Sequence, residues 1–243
     1  GGGEPLICVP VVEQDAQSVI REITYLSQST ADMIEWRVDA FRDFTDYNAI
    51  RSVFEAVAPL LGEKLFLYTF RTAHQGGMAQ VKAEQLDDLH DLAAESGCVD
   101  LVDLEFFEED RPLHKIKRLR EMGVSVIASH HDFEQTPSPE VKMLLEKMCT
   151  GGADIVKLAV MPQNYKDVLN LLDVTAQFRE ENPDTPVITM SMGSLGGISR
   201  ISGETFGSCV TFGAHEKPSA PGQFAMKELR QMLDTIHASS RIQ

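Results

Sequence analysis

The sequence predicts an α/β protein, a closed (β/α)8 TIM barrel, on three observations. Short apolar runs alternate strictly with longer amphipathic stretches, eight of each. Such alternation builds a parallel sheet covered by helices. The chain is 243 residues long, which is large for an ordinary domain and normal for eight βα units. No G-x-G-x-x-G follows the first apolar run, so the fingerprint of the alternative, an open doubly wound sheet, is missing. The barrel is expected to occupy 4–243 as one domain, with Gly1–Gly3 read as a processing remnant.

The strands are expected at 6–11, 33–38, 65–70, 101–105, 124–129, 155–159, 187–192 and 209–212. The helices between and after them are expected at 16–27, 48–58, 82–96, 112–121, 139–149, 165–181, 198–206 and 226–237. Pro112 and Pro139 fall at first-turn positions, where a missing N–H costs nothing. Gly123 and Gly151 follow the fourth and fifth helices and serve as stop signals.

Composition narrows the class. The formal charge is −15, and lysine and arginine form no runs. That excludes a nucleic-acid-binding or anionic-membrane surface. No stretch approaches the ~18 apolar residues of a membrane span, and the sequence shows no signal peptide. The four cysteines, Cys8, Cys98, Cys149 and Cys209, are scattered and form no C-x-x-C pair. They read as reduced thiols of a cytoplasmic protein.

Function enters through strand parity. Side chains alternate faces along a strand, and barrel enzymes work at the C-terminal strand ends. The second strand ends E-W-R-V-D, setting Glu35, Arg37 and Asp39 on one face and Trp36 and Val38 on the other. The third puts Thr69 and Arg71 opposite Phe70, and the fourth puts Asp103 and Glu105 opposite Val102 and Leu104. The fifth pairs Ser129 with His131, and the sixth pairs Lys157 with Ala159. Five successive strands thus aim polar groups at one mouth, away from their large apolar residues.

Lys157 is the sharpest of these, a cation inside the apolar run A-D-I-V-K-L-A-V-M-P. Either it pairs with a carboxylate such as Glu35 or Glu105, or it forms an imine. Imine chemistry needs the neutral amine, and a free lysine has a pKa of about 10.4. Burial and neighbouring cations favour the neutral form, and Arg37, Arg71 and His131 are placed to supply them. His131, on the adjacent strand, suits a proton shuttle beside such a lysine. Arg37, Arg71 and Arg200 together suggest a local anion site in an acidic chain. No His/Cys set has metal-ligand spacing. The loop M-G-S-L-G-G at 192–197 offers a weak phosphate-cradle signal. Residues 213–223, G-A-H-E-K-P-S-A-P-G-Q, read as a lid carrying Ser219 and Gln223 as polar contacts.

Seven segments now combine: E-W-R-V-D (35–39), F-R-T-A-H-Q-G-G (70–77), S-H-H-D-F (129–133), D-I-V-K-L-A-V-M-P (154–162), M-S-M-G-S-L-G-G-I-S-R (190–200), F-G-S (206–208) and S-A-P-G-Q (219–223). In this order, over nearly the whole chain, they resemble the type I 3-dehydroquinate dehydratases. The resemblance implies a homodimeric, cytoplasmic (β/α)8 barrel of the shikimate pathway of aromatic amino acid biosynthesis, with no metal or organic cofactor. It implies that Lys157 forms an imine with the C3 ketone of 3-dehydroquinate and that His131 moves the C2 proton. It gives Arg200 the substrate carboxylate. Glu35, Arg37, Arg71, Ser219 and Gln223 would position the substrate hydroxyls and the lysine. One departure stands out: Gln75 occupies a position where many members of the family carry glutamate, thought to orient the histidine. Two rival readings are a class I aldolase-like lysine-imine barrel acting on a phosphorylated sugar, and a binding relative that has lost turnover through Gln75.

Overall fold

The computed structural model describes residues 3–240. Gly1 and Gly2, and the last three residues of the expected 4–243 unit, lie outside the described residues. Eight parallel strands run β1 (Leu6–Val11), β2 (Met33–Arg37), β3 (Leu65–Thr69), β4 (Leu101–Glu105), β5 (Ser125–Asp132), β6 (Ile155–Val160), β7 (Val187–Ser191) and β8 (Val210–Phe212). Their order around the sheet is β7-β6-β5-β4-β3-β2-β1-β8. The seam between β7 and β8 is closed by a parallel bridge from Val187 to Ser208 and by Cys209 N–H donating to the Val187 carbonyl at 2.8 Å.

The helices are α1 (Ala16–Ser27), α2 (Tyr47–Val57), α3 (Ala83–Glu95), α4 (Pro112–Glu121), α5 (Val141–Thr150), α6 (Tyr165–Glu181), α7 (Gly203–Phe206) and α8 (Met226–Ser240). Local sequence explains their starts. Asp15 and Asp46 accept N-terminal amide hydrogens of α1 and α2, and Asn164 with Asp167 forms a full capping box on α6. These side chains satisfy donors that the helix itself leaves unpaired.

Side-chain alternation divides the core in two. Ile34, Trp36, Phe66, Tyr68, Val102 and Leu104 face outward and pack under the helices. Trp36 meets Phe54 edge-on at 5.2 Å and Phe41 at 5.7 Å, a favoured geometry for aromatic pairs. Cys8, Met33, Leu67, Leu101, Ile127 and Ile188 face inward and fill the barrel. Above this plug the same inward rows turn polar, with Glu35, Arg37, Thr69, Asp103 and Lys157 all buried.

Besides shifts of one to three residues at other element ends, four differences from the sequence expectation stand out. The second strand stops at Arg37, because residues Val38–Ala40 tighten into a 3-10 turn that brings Asp39 back onto Arg37. β5 runs on to Asp132, since His130, His131 and Asp132 pair in register with Leu158, Ala159 and Val160. The helix expected at 139–149 begins at Val141, and Pro139 lies in the turn before it. The segment 198–206 is two short helical pieces, Gly197–Arg200 and Gly203–Phe206, not one helix.

His90 on α3 is buried against Tyr68, and neither ring nitrogen has a partner among the described residues. Burial, then Lys115, lowers its pKa to about 4. An unfolded histidine gains a proton below about 6.5. The unfolded state therefore binds the extra proton between these values, so stability falls as pH falls through that window. The loss is expected to reach about 2 kcal/mol by pH 5. Urea midpoints of the wild type and of His90→Phe should diverge between pH 7 and pH 5, the variant losing less. Parallel losses would remove His90 as the cause.

Candidate active site

The polar groups meet at the C-terminal end of the barrel, around one cavity. Lys157 lies mid-strand in β6, and the register sets it beside Ser129 of β5, with His131 beside Ala159 one alternation further on. The cavity is lined by Glu35, Arg37, Arg71, His131 and Lys157 from the strands, and by Ser219 and Gln223 from the 213–223 loop. Met190, Met192, Phe212 and Phe133 give it apolar walls. Among the expected site residues, all but Arg200 border this cavity directly.

Lys157 donates to Asp103 at 3.1 Å and lies 4.0 Å from Glu35. Its ammonium also sits over the Phe212 ring at 4.5 Å, a cation–π arrangement. The nearest charges to the lysine are therefore carboxylates, and not the three cations expected from sequence. Glu105, weighed as a partner for Lys157, instead binds Arg71 at 2.8 Å and caps Thr72 through N–H and hydroxyl. Glu35 is steadied by the Thr69 hydroxyl at 2.8 Å.

Arg71 bridges the site. It reaches Asp103 at 2.9 Å and Glu105 at 2.8 Å, and its pKa is raised because these carboxylates outweigh burial. Burial would raise the Asp103 carboxyl, but Arg71, Lys157 and His131 overcome it and hold the group far below the carboxylate range. The Ser129 hydroxyl completes Asp103 at 2.6 Å. Asp103 is thus a fixed anion. Parity put it on the right face, but no role followed from sequence, because a carboxylate among carboxylates carries no distinguishing signal. Arg37 forms a two-pronged pair with Asp39 at 2.8 and 2.9 Å.

His131 is held differently. Gln75 Oε1 accepts from the His131 backbone N–H at 3.0 Å and faces Nδ1 at 3.0 Å. An oxygen already accepting from N–H presents an acceptor to the ring, so Nδ1 carries the hydrogen and Nε2 the lone pair. Burial first, then Arg71 and Lys157, holds His131 well below the usual histidine range. The ring is therefore a neutral base. Gln75 reaches it because the turn Ala73–Gln75 ends in Gly76, at φ +82° and flat against Phe133. A side chain at Gly76 would sit 2.4 Å from that ring.

Arg200 is buried against the 213–223 loop, where Nη2 donates to the Pro221 carbonyl at 2.9 Å. Its Nε and Nη1 have no partner among the described residues, and burial lowers its pKa to about 10. Two unspent cationic donors suit a carboxylate. The 213–223 loop is seated, with Gly193 N–H donating to the Pro221 carbonyl at 3.2 Å and His215 on Glu22 at 2.6 Å. Ser219 and Gln223 bond to each other at 2.8 and 3.0 Å. Two glycines of 192–197 have structural reasons: Gly193 sits at φ +68°, and a Cβ on Gly196 would lie 1.9 Å from the Ser191 carbonyl. That close approach accounts for Gly196 without a phosphate.

Among the described residues no cluster of His, Cys, Asp or Glu could hold a metal ion, and no helix is long and apolar enough to cross a membrane.

Fold and site together define a (β/α)8 barrel with a buried lysine and a neutral histidine on the wall of one mouth, and behind the 213–223 loop an arginine whose Nε and Nη1 have no partner among the described residues. The sequence profile of the type I 3-dehydroquinases matches residues 7–240, and the chain belongs to that family. A 3-dehydroquinate dehydratase of Syntrophotalea carbinolica is 42% identical, over 98% of this chain and 94% of that protein. One from Listeria monocytogenes is also 42% identical, over the same shares. The type I 3-dehydroquinate dehydratase of Clostridium difficile, solved with covalently modified comenic acid, superposes with a TM-score of 0.94. It is 39% identical, over 98% of this chain and 95% of that one.

Proposed function

We propose that Lys157 and His131 carry out the reaction of this family in the mouth of the barrel. The reaction is dehydration of 3-dehydroquinate to 3-dehydroshikimate, a step of the shikimate pathway. The observation that carries the assignment of residues is the pairing of β5 with β6, which sets Lys157 and His131 on one face within one alternation of each other.

Lys157 gives up one ammonium proton and adds through Nζ to the C3 ketone; that proton ends on the carbinolamine oxygen, which leaves as water and gives an iminium. Asp103, ionised throughout, balances that positive charge from the position it now holds 3.1 Å from Nζ. The iminium draws electrons from C2, whose proton passes to His131 Nε2 and leaves an enamine. The enamine electrons then form the C1–C2 double bond as the C1 hydroxyl departs, protonated by His131. Water releases the product and regenerates the amine. His131 thus takes the C2 proton and gives it to the leaving hydroxyl, ending neutral as it began.

Arg200 takes the substrate carboxylate with Nε and Nη1. Ser219 and Gln223 exchange their mutual hydrogen bonds for substrate hydroxyls, and Glu35, Arg37 and Arg71 frame the remaining polar edge. Closure of 213–223 keeps bulk water from the imine. The described barrel and the residues flanking it, 4–243, act as one catalytic domain. We place it in the cytoplasm as a homodimer; the four free cysteines support a reducing compartment.

The test is incubation with 3-dehydroquinate, following the absorbance of the enone product, with borohydride added to a parallel sample. Product should appear, and reduction should add the ligand's mass to the peptide containing Lys157. A reduced adduct on another peptide would sink the assignment. Turnover of phosphorylated sugars in place of 3-dehydroquinate would favour an aldolase.

A further inference from the structure

The Gln75 amide has a second end. Its Nε2 donates to Glu108 Oε1 at 3.2 Å and faces His130 Nδ1 at 3.4 Å. Gln75 is almost wholly buried, whereas Glu108 stands at the surface. Glu108 is presented by the turn that follows β4, where its own N–H donates to the Glu105 carbonyl at 3.1 Å. A line of hydrogen bonds therefore runs from a surface carboxylate, through a buried amide, to Nδ1 of His131.

We infer that Glu108 is a positioning residue for His131 and acts through the Gln75 amide. The inference rests on His131 being the proton carrier, as proposed above. Its physical basis is the polarity of the amide. With Nε2 committed to Glu108, Oε1 is left to face the histidine, and both His131 donors meet an acceptor. Reversing the amide would set N–H against N–H at His131 and carbonyl against carboxylate at Glu108. Two unfavourable contacts would replace three favourable ones. No proton crosses the amide. The chain polarises instead: the carboxylate strengthens donation by Nε2, which enriches Oε1, which favours the charged ring once Nε2 of His131 has taken the C2 proton.

The surroundings of His131 make this support useful. Arg71, Lys157 and Arg37 all disfavour a positive ring, and Asp103 is the anion that opposes them. Glu108, with Asp132 and Glu105, acts directly on the neighbouring His130; it reaches His131 through the Gln75 amide. A base surrounded by cations binds its proton poorly. A carboxylate one amide away corrects that without placing a second fixed anion against the lysine.

The experiment is a two-by-two comparison of wild type, Glu108→Gln, Gln75→Glu and the double variant. Glu108→Gln is at the surface and is expected to fold normally. It should lower kcat about three- to tenfold with KM within about twofold, and move the acid limb of the pH–rate profile to lower pH. Glu108→Asp should recover part of the loss. The sign should reverse in the Gln75→Glu background. There a carboxylate touches the ring directly and Glu108 repels it, so adding Glu108→Gln should leave kcat unchanged or raise it. An equal fractional loss in both backgrounds, or no loss in the wild type, would overturn the relay. Nitrogen-15 shifts of His131 judge it without turnover: Nδ1–H should dominate in the wild type and lose ground in Glu108→Gln. Unchanged shifts would dismiss the relay even in an active enzyme. Absence of dehydration with a Glu108-dependent tautomer would fault the assigned reaction instead.

Discussion

Lys157→Met is expected to lower dehydration at least about a thousandfold, about 4 kcal/mol of barrier, and to abolish the borohydride-reducible adduct. The size follows from the lysine's place in the scheme. It is the only described amine on the cavity wall, so its loss removes the covalent intermediate, and without an iminium the C2 proton has no electron sink. Methionine is chosen to separate chemistry from folding. It keeps the length and packs on the Phe212 ring that Lys157 now covers at 4.5 Å. Asp103 is not stranded either, since Arg71 remains at 2.9 Å and Ser129 at 2.6 Å. A melting temperature near that of the wild type, with activity gone, is the expected pair of results. Residual turnover above about a tenth of wild type would show that Lys157 does not form the intermediate.

The second large effect is at His131. His131→Ala is expected to cut dehydration at least about 100-fold, the scale of a positioned acid–base group, while the adduct at Lys157 still forms. Alanine keeps the backbone N–H that Gln75 accepts at 3.0 Å, so the turn around Gln75 stays in place. Mass spectrometry after borohydride and a steady-state assay separate the two functions. Near-normal turnover would transfer the proton role elsewhere. The pH dependence follows from burial and the neighbouring cations. Because His131 is pushed well below 6.5, the base form persists on the acid side of neutrality. The acid limb of the wild-type profile should therefore begin below pH 6.5, and activity should fall only as pH drops through that lowered value.

Much of this was legible in the sequence, for reasons that can be located. The period-two alternation of E-W-R, L-Y-T and V-K-L decides which side chains enter the barrel, and the structure keeps that alternation in Glu35, Arg37, Thr69 and Lys157. Strand ends were less legible. The fifth strand is expected to stop at 129 although its parity carries on to His131, and residues 130–132 pair with Leu158–Val160, a partner that no local signal names. The identity of contacts was least legible. Parity placed Asp103, Glu35 and Glu105 on one face without telling which takes the lysine. That choice depends on strand stagger and on Arg71, which draws Asp103 and Glu105 together at 2.9 and 2.8 Å. Glu108 gave no signal at all, being one charged residue in the acidic run F-F-E-E-D. Arg200 was legible as a cation near the mouth, but not as one sheltered behind Pro221.

The pairing of β5 with β6 also predicts where this gene tolerates length change. Ser129 faces Lys157 and His131 faces Ala159 in a single unbroken register. One inserted codon between Ser125 and His131 would rotate the histidine to the helix side, where Val126 and Ala128 now pack, and would bring His130 inward in its place. The same insertion in the turn after α4, around Gly123, would be absorbed at the opposite rim of the barrel with the mouth intact. Codon-insertion scanning should therefore give a comb of intolerant strands separated by permissive lower loops, its deepest teeth at β5 and β6.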